Sequence, residues 1–278
     1  MMQIISLGMG LQSTALYFMS STGELPRADY AIFADTGREG SGTYQYLKYL
    51  LKWKEQNNGI PVIVCREKNL FDDLLNNSAE RRFASIPAYT RNEDGTIGML
   101  RRQCTAEYKI FVVDNCIRDR IYGLSKGSRR PVTRVWHGIT LDEQDRMHIP
   151  REAWKVNVYP FLGRGVNYQG AVESLEGFHP MNRQEVIRWY LLHGLEVPPK
   201  SACVFCPYQS DRAWALKKKY APQDFADAVR VDEAIRNSTR KGIHHPVYLH
   251  RSCRPLADVA FDVKQDEDWA ECSGNCHV

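Results

Sequence analysis

The fold is decided by residues 3–14, which read QIISLGMGLQST. A short apolar run ends there in glycines, and the stretch from Ser13 to Ser20 predicts a helix. A second apolar run, Tyr30–Ala34, precedes the turn Asp35-Thr36-Gly37, and a third covers Pro61–Cys65. Strands that alternate with turns and helices predict a parallel sheet with covering helices. Ligands of such sheets bind at the carboxyl ends of the strands, where these turns lie.

Further elements follow from apolar periodicity and from capping residues. The predicted helices cover Thr43–Lys54, Leu70–Ala79, Ala106–Tyr122, Asn182–Gly194, Arg212–Tyr220 and Pro222–Arg236. Strands are predicted at Thr133–Ile139 and within Trp154–Phe161, and a loop at Ile86–Leu100. We therefore expect a Rossmann-like α/β domain over residues 1–150 and a mainly helical, cysteine-bearing extension over 151–278.

Composition excludes several classes of protein. The 278 residues include 37 basic and 33 acidic side chains, a balance too even to indicate nucleic-acid binding by itself. The N-terminus lacks the pattern of a signal peptide, and there is no apolar run of about 18 residues, so we expect no membrane segment. Eight cysteines without a secretion signal are typical of a reducing compartment, and we expect a cytoplasmic protein.

The glycine turn after the first strand is a candidate phosphate site. Gly8 and Gly10 allow close backbone approach, and the following helix offers unpaired N–H groups to an anion. Ser6, Ser13 and Thr14 add hydroxyl groups. The turn is neither a Walker A loop nor G-x-G-x-x-G, so a tight turn that needs glycine for steric reasons alone is the alternative.

The turn after the second strand is the companion candidate. Asp35 and Thr36, followed by Gly37, come at the end of a neighbouring strand. The carboxylate can accept hydrogen bonds from ribose or adenine, or hold Mg²⁺ on a phosphate. The alternative is an ordinary turn in which Asp35 caps the backbone. Two such turns at successive strand ends favour a nucleotide site.

Four segments resemble, in the right order, the adenine-nucleotide alpha-hydrolase superfamily, in particular the phosphoadenylyl-sulfate (PAPS) reductase family. Residues 8–14, GMGLQST, resemble the PP-loop SGGxDST, and residues 33–44, FADTGREGSGTY, are similar to a DTG…ETY segment. Residues 104–110, CTAEYKI, resemble CCxxRKV, and residues 137–146, HGITLDEQDR, resemble GxRxDESxxR. Gly8 and Gln12 stand where the PP-loop has serine and aspartate.

The resemblance implies an HUP-type fold that binds ATP or a related adenine nucleotide. The residues that it assigns to the nucleotide are Ser6, Gly8, Gly10, Gln12, Ser13, Thr14, Asp35, Thr36, Gly37 and Arg146. A structural ion pair with Glu143 is the alternative for Arg146. Lys109 is a candidate for binding phosphate or a sulfur-bearing anion beside Cys104, with an exposed cation as the alternative.

The cysteines predict a metal or redox centre. Cys203 and Cys206 form C-x-x-C, and Cys272 and Cys276 form a second pair. Two thiolates at such spacing hold a metal or a cluster edge, although a dithiol redox pair or simple packing also uses it. The resemblance implies a [4Fe–4S] cluster on Cys104, Cys203 and Cys206, with Cys272 or Cys276 as fourth ligand or with one iron open. Zn²⁺ on Cys203, Cys206, Cys272 and Cys276 is the competing arrangement.

Catalytic thiols are predicted at Cys104 and Cys272. Residues 271–272 are similar to the ECGLH tail whose cysteine attacks sulfur in the reductases, and a thiolate with a lowered pKa is the active nucleophile. Cys65, Cys116 and Cys253 lack a partner pattern, so we interpret them as buried thiols.

The sequence thus predicts a sulfur-chemistry enzyme. It is either a PP-loop ATP pyrophosphatase and sulfurtransferase or an oxidoreductase similar to PAPS reductase. The expected partners are the adenine nucleotide, tRNA or DNA as a candidate sulfur acceptor, and a sulfur donor or thiol reductant protein, with no membrane. The alternative is a non-catalytic nucleic-acid or protein-binding module with a structural four-cysteine zinc site.

Overall fold

The structure, a computed structural model, describes residues 1–76, 86–237 and 243–263. The strands in these ranges are β1 (Met2–Ser6), β2 (Tyr30–Ala34), β3 (Val62–Cys65), β4 (Tyr89–Arg91), β5 (Ile97–Met99), β6 (Thr133–Trp136), β7 (Lys155–Tyr159), β8 (Arg164–Asn167), β9 (Val172–Ser174) and β10 (Val247–Tyr248). The α-helices are α1 (Leu11–Thr22), α2 (Ser41–Gln56), α3 (Leu70–Leu75), α4 (Phe111–Cys116), α5 (Arg183–Leu192), α6 (Asp211–Tyr220) and α7 (Pro222–Arg236).

The chain forms two compact units from interleaved segments. The first unit contains Met1–Ala34, Gly42–Cys65 and Phe111–Ser201. The second contains Asp35–Ser41, Arg66–Ile110 and the residues from Ala202 on. Residue 150, where the sequence suggests a boundary, lies inside the last segment of the first unit, because β7 pairs in parallel with β6.

The first unit is an α/β fold built on a seven-stranded sheet. The strand order is β3-β2-β1-β6-β7-β8-β9. The five strands from β3 to β7 run parallel, and β8 and β9 add an antiparallel hairpin at one edge. This arrangement confirms the predicted parallel sheet with flanking helices, which is consistent with a Rossmann-like fold.

Helices cover both faces of this sheet because its strands are apolar on both sides. Ile4 and Ile32 pack in a cluster with residues of α4, whereas Ile5 and Phe33 pack in a cluster with residues of α1 and α5. Successive side chains of a strand point to opposite faces, so one short apolar run supplies two cores. Strands buried on both faces are typical of parallel sheets.

The helix predicted over 106–122 is formed in three pieces. π-helical turns at Ala106–Ile110 and Ile117–Ile121 flank α4. Cys116 at the end of α4 forms a disulfide with Cys65 at the end of β3, and both side chains are buried. The interpretation of these two residues as thiols without a partner was therefore wrong. No sequence motif marks the pair, because the partners meet only through the packing of α4 on the sheet.

The second unit has a small sheet of its own, in the order β10-β4-β5. The prediction of a loop over Ile86–Leu100 was wrong, since β4 and β5 pair there as an antiparallel hairpin. Asp94 stabilises the connection by accepting from the Thr96 N–H at 2.9 Å, and Gly95 adopts a left-handed φ of 83°. This hairpin was not predicted because most of its residues are polar or glycine. Trp214 and Val231 of α6 and α7 lie in the core of this unit.

The second half of the chain combines helices with strands. Helices α5, α6 and α7 match their predicted positions within about two residues, and Asn182 caps α5 in a capping box with Glu185. Strands β7, β8, β9 and β10 also fall in residues 151–278, and β8, β9 and β10 were not predicted. Within the described residues, no helix has the length and apolar character needed to cross a bilayer.

One buried ion pair connects α4 to β7, and it generates a stability prediction. The Lys155 ammonium lies 2.6 Å from Asp114 Oδ1, with both side chains less than a tenth exposed. Lys155→Met leaves the Asp114 carboxylate buried without its cation, so we expect a loss of about 3–5 kcal/mol of unfolding free energy. Urea denaturation measures it. The double variant Lys155→Met with Asp114→Leu is the matched control and is expected to recover most of the lost unfolding free energy. Equal losses in the single and the double variant would show that the unpaired carboxylate is not the cause.

Candidate functional site

The strand order of the first unit reverses direction at β1. From β1 the chain builds outward through β2 to β3, and it then returns to add β6 on the other side of β1. The segments that follow β1 and β6 therefore flank a crevice at the carboxyl ends of the strands. Ligands of open α/β sheets bind at such a reversal. We call residues 7–13 and 137–146, which follow these two strands, the carboxyl-edge site.

The turn after β1 leads directly into α1, whose N-cap is Gly10. Among the described residues no side chain caps this helix end, and its first turn carries no acidic residue. Ser13 braces the turn instead, because its hydroxyl accepts from the Gly8 N–H at 3.1 Å and donates to the Gly10 carbonyl at 3.3 Å. Uncapped first-turn N–H groups and the helix dipole attract anions. The start of α1 thus offers hydrogen-bond donors to a phosphate.

The left-handed residue of this turn is Met9, with a φ of 56°. Gly10 has a φ of −98°, so the turn does not use its glycine for a positive φ. A left-handed conformation costs a non-glycine residue about 1–2 kcal/mol. The Met9 side chain is fully buried, and that burial contributes about 1.5–3 kcal/mol, which offsets the cost. The turn is therefore anchored to the core through Met9.

Gly138, after β6, closes on the first turn of α1. A Cβ atom at this position would lie 2.7 Å from Ser13 N and 2.9 Å from the carbonyl carbon of Gln12. Both neighbours are backbone atoms, which cannot rotate away as the end of a side chain can. Only glycine fits here, and its backbone forms a wall of the carboxyl-edge site.

Gln12, Glu143 and Arg146 are joined in one polar group at this site. Gln12 Nε2 donates to Glu143 Oε2 at 3.1 Å, and Arg146 Nη1 donates to the same oxygen at 2.8 Å. Burial raises the pKa of Glu143, while the charge of Arg146 opposes that rise. The structure thus brings the glycine turn together with the segment predicted to complete its site, and it also forms the Glu143–Arg146 ion pair that was the alternative for Arg146.

Two buried polar atoms beside this group are left over. Arg146 Nε and the Thr140 hydroxyl have no hydrogen-bond partner among the described residues, and Thr140 is fully buried. Buried donors without a partner are rare and often mark the position of a ligand, an ion or a water molecule. Arg146 therefore retains an N–H group for an anion in addition to its bond with Glu143.

Other residues predicted for the nucleotide have structural roles in this unit. The Thr14 hydroxyl is buried, donates to the Gly10 carbonyl at 2.8 Å and lies 2.6 Å from the Tyr190 hydroxyl. Ser6 is the last residue of β1.

His137, which follows β6, is not among the residues predicted for the nucleotide. It lies 3.1 Å from Asn157 Oδ1, and desolvation lowers the pKa of His137 to about 3, which keeps the ring neutral.

A second group, which we call the thiol site, lies in the second unit around Cys203. The Cys203 sulfur lies 3.1 Å from the Thr36 hydroxyl and donates to Glu39 Oε1 at 3.6 Å. Thr36 donates to the same Glu39 oxygen at 2.8 Å, and Lys109 Nζ lies 3.7 Å from it. The sequence connected Thr36 with a nucleotide, and the structure places its hydroxyl beside a thiol.

The charges of the thiol site act on Cys203 in opposite directions. Burial raises the pKa of the Cys203 thiol most, and the Glu39 carboxylate raises it further. The Lys109 ammonium and the Thr36 hydroxyl lower it. The net rise keeps Cys203 protonated at neutral pH. The sequence did not predict Glu39 as a site residue. Its position three residues after Thr36 was the only sequence feature that could have indicated this contact.

Asp35 and Gly37 shape the turn that carries Thr36. Asp35 Oδ1 accepts from the Gly37 N–H at 2.8 Å, and Asp35 also forms an ion pair with Arg66. These bonds correspond to the capping role that was the alternative for Asp35. Gly37 has a φ of 101°, and a Cβ atom there would overlap the side chain of Asn69.

The predicted metal ligands are only partly within the described residues. Cys104 is close enough to Cys203 to influence the pKa of the Cys203 thiol. Cys206 follows Cys203 in a turn in which the Cys206 N–H donates to the Cys203 carbonyl at 3.0 Å. Cys272 and Cys276, predicted as ligands and Cys272 also as a nucleophile, lie outside the described residues. Within the described ranges, no three His, Cys, Asp or Glu side chains form a metal-binding group.

Comparison with known proteins adds no assignment. No protein-family profile matches the chain, and no curated protein is significantly similar to it. The geometry of the two sites therefore carries the functional argument.

The close approach of Gly138 to α1 gives a prediction. Gly138→Ala forces two backbone segments apart, so we expect a loss of about 1–3 kcal/mol of unfolding free energy in urea denaturation. Ser128→Ala, a change at an exposed loop, is the control and is expected to stay within about 0.5 kcal/mol of the parent protein. A Gly138→Ala protein as stable as the control would show that Gly138 does not pack closely against the first turn of α1.

The opposed charges at Cys203 give a prediction with two signs. Glu39→Gln removes the charge that raises the pKa of Cys203, so its alkylation by iodoacetamide at pH 8.5 should accelerate. Lys109→Gln removes the charge that lowers this pKa and should slow the reaction. A change of one pKa unit alters the thiolate fraction about tenfold. Mass spectrometry of the Cys203 peptide measures both rates in metal-free protein. Rate changes in the same direction would refute the opposed effects of Glu39 and Lys109 on the pKa of Cys203.

Proposed function

We propose that this chain is an adenine-nucleotide-dependent enzyme of sulfur chemistry, of the PP-loop or PAPS-reductase type, with an HUP-type fold. The observation that carries the proposal is the carboxyl-edge site. An uncapped helix start at the strand reversal, the close wall of Gly138 and the unpaired Nε of Arg146 together suit a phosphate-bearing ligand.

A nucleotide suits this site better than a simple anion. Two strand-end segments lie at the strand reversal, which is where open α/β sheets bind nucleotides. The Gln12 side chain is neutral and donates to Glu143. The positive charge at the carboxyl-edge site therefore comes from Arg146. The proposed ligand is ATP or a related adenine nucleotide, with Mg²⁺ as its companion ion.

The thiol site supplies the sulfur half of the proposal. Cys203 and Cys104 are the candidate thiols of the described residues, and Lys109 is the cation that favours an anionic sulfur species beside them. The [4Fe–4S] cluster on Cys104, Cys203 and Cys206, with Cys272 or Cys276 as fourth ligand or with one iron open, belongs to the same proposal. Zn²⁺ on the two cysteine pairs is its alternative. No step proposed here depends on either group.

Two reactions are compatible with these parts. In the thiolation version, an acceptor oxygen attacks the α-phosphate of ATP, pyrophosphate leaves, and a sulfur nucleophile then displaces AMP. In the reductase version, a thiolate attacks the sulfur of a sulfonucleotide, the S–O bond breaks and the nucleotide phosphate leaves. A second thiol then attacks the cysteine sulfur of the adduct, which forms a disulfide and releases sulfite. A tRNA or DNA acceptor, a sulfur donor or reductant protein and a cytoplasmic location belong to the same proposal.

Equilibrium dialysis with labelled ATP and with PAPS tests the nucleotide site. We expect one site per chain and, for Arg146→Met, a loss of affinity of about tenfold or more, because one charge-assisted hydrogen bond is removed. The control is Arg118→Met, which removes an arginine of the same unit that pairs with Asp119.

Product and metal analysis then tests the chemistry. Anaerobically purified protein should contain stoichiometric iron and absorb near 400 nm. Incubation with ATP, bulk tRNA and sulfide should release AMP, and incubation with PAPS and dithiothreitol should release sulfite. Colourless protein with one zinc ion per chain would replace the cluster by the zinc alternative. Absence of nucleotide binding, or of both products, would overturn the proposed function.

A further inference from the structure

A separate cleft of about 550 Å³ opens in the second unit, near the end of the described chain. Its lining includes Arg91, Asp211, His250, Arg251, Ser252 and Arg254. None of these residues belongs to the carboxyl-edge site or the thiol site. The cleft combines a cavity of ligand size with convergent polar groups, which is the usual form of a small-molecule site.

Three of these residues form a continuous chain of hydrogen bonds. Asp211 Oδ1 lies 3.2 Å from His250 Nε2, and His250 Nδ1 lies 2.8 Å from the Ser252 hydroxyl. Asp211 and His250 are buried, whereas Ser252 is only partly covered. All three residues line the cleft, and Ser252 is the most exposed of them.

Neighbouring N–H groups fix the direction of every proton in this chain. Asp211 also accepts from Arg251 at 2.8 Å and from the Asp262 N–H at 2.9 Å, so it acts as an acceptor and His250 Nε2 carries the hydrogen. The Ser252 N–H points at His250 Nδ1 from 3.2 Å, so this nitrogen is an acceptor as well. The Ser252 hydroxyl must then donate to it. A carboxylate, a neutral imidazole and a serine occur in the same order in the relay of serine hydrolases, although here Nε2 faces the carboxylate and Nδ1 faces the serine.

The turn that carries Ser252 is held in a demanding conformation. The Cys253 N–H donates to the His250 carbonyl at 3.0 Å, and Cys253 has a left-handed φ of 52°. Strained residues of this kind occur next to functional groups when the surrounding structure over-determines them. Burial lowers the pKa of His250, so that the ring is neutral and able to accept a proton at pH 7.

We propose that Ser252 is a nucleophile activated by His250 as general base, with Asp211 as the positioning residue, and that the cleft accepts a small ester bearing an acidic group. The acidic group follows from the arginines: Arg91, Arg251 and Arg254 line the cleft against Asp211 and Asp262. Because Arg251 is paired with Asp211, Arg91 and Arg254 are the cations that face a ligand.

The proposed step balances without a redox partner. The Ser252 oxygen forms a bond to the acyl carbon, and its proton passes to His250 Nδ1. The ester C–O bond breaks, and the alcohol leaves with the proton returned by His250. Water then attacks the acyl-serine with His250 again as base, which releases the acid and restores the serine.

A fluorophosphonate probe tests the nucleophile directly. The Ser252 oxygen should displace fluoride and become phosphonylated, and peptide mass spectrometry should place the adduct on Ser252. Ser252→Ala should abolish labelling, and His250→Gln should slow it by about 100-fold or more. Ser125→Ala, at an exposed serine that bonds Ser128, is the control and should label as the parent does. An unlabelled parent protein, a labelled Ser252→Ala or an unchanged rate in His250→Gln would overturn the proposal.

Two further measurements test the other parts. The imidazole ¹⁵N shifts of His250 should report a hydrogen on Nε2 in the parent. Asp211→Asn should change the tautomer balance and also slow fluorophosphonate labelling, whereas loss of a merely structural aspartate would leave the labelling rate unchanged. The 4-nitrophenyl monoester of succinate should acylate the protein about tenfold faster than 4-nitrophenyl acetate, and Arg254→Gln should reduce that ratio. Equal rates for the two esters would refute the acidic substrate class, and an unchanged tautomer would refute the role of Asp211.

Discussion

The hydrogen bonding of β1 between β2 and β6 is the constraint on which the first unit depends. This strand is paired on both sides, and its apolar residues face two different cores. Because the chain leaves β1 in one direction and returns on the other side, the ends of β1 and β6 stand next to each other. The position of the glycine turn beside Gly138 follows from this order of strands, as does the position of Glu143 beside Gln12.

The two groups of polar residues in the two units have opposite electrostatic characters. At the carboxyl-edge site, helix N–H groups and Arg146 offer donors that the protein itself does not fully use. At the thiol site, Thr36 and Glu39 already accept or donate to Cys203, and the thiol is kept neutral. The first arrangement is suited to binding an anion. The second keeps the Cys203 thiol protonated, with the Glu39 carboxylate raising its pKa and the Lys109 ammonium lowering it.

The sequence predicted those elements whose local pattern is strong. Strand Tyr30–Ala34 and helix Pro222–Arg236 have the predicted bounds, because an unbroken apolar run and a proline start are local signals. The hairpin within Ile86–Leu100 was missed because each of its strands has only three residues and its turn is polar. The contact between Thr36 and Cys203 and the disulfide of Cys65 depend on residues far apart in the chain, which no local pattern reveals. The glycine turn was located correctly, but its left-handed residue is not a glycine, since burial of a methionine compensates for the conformation.

The interleaving of the two units has a consequence for biosynthesis. The chain passes from one unit to the other at residues 34/35, 41/42, 65/66, 110/111 and 201/202. A ribosome releases residues in order, so the first unit has all of its segments only when Ser201 has emerged. The second unit begins with Asp35, yet it must wait for the segment after Ala202 before its thiols meet Thr36 and Glu39. For most of translation, therefore, the nascent chain holds incomplete pieces of both units.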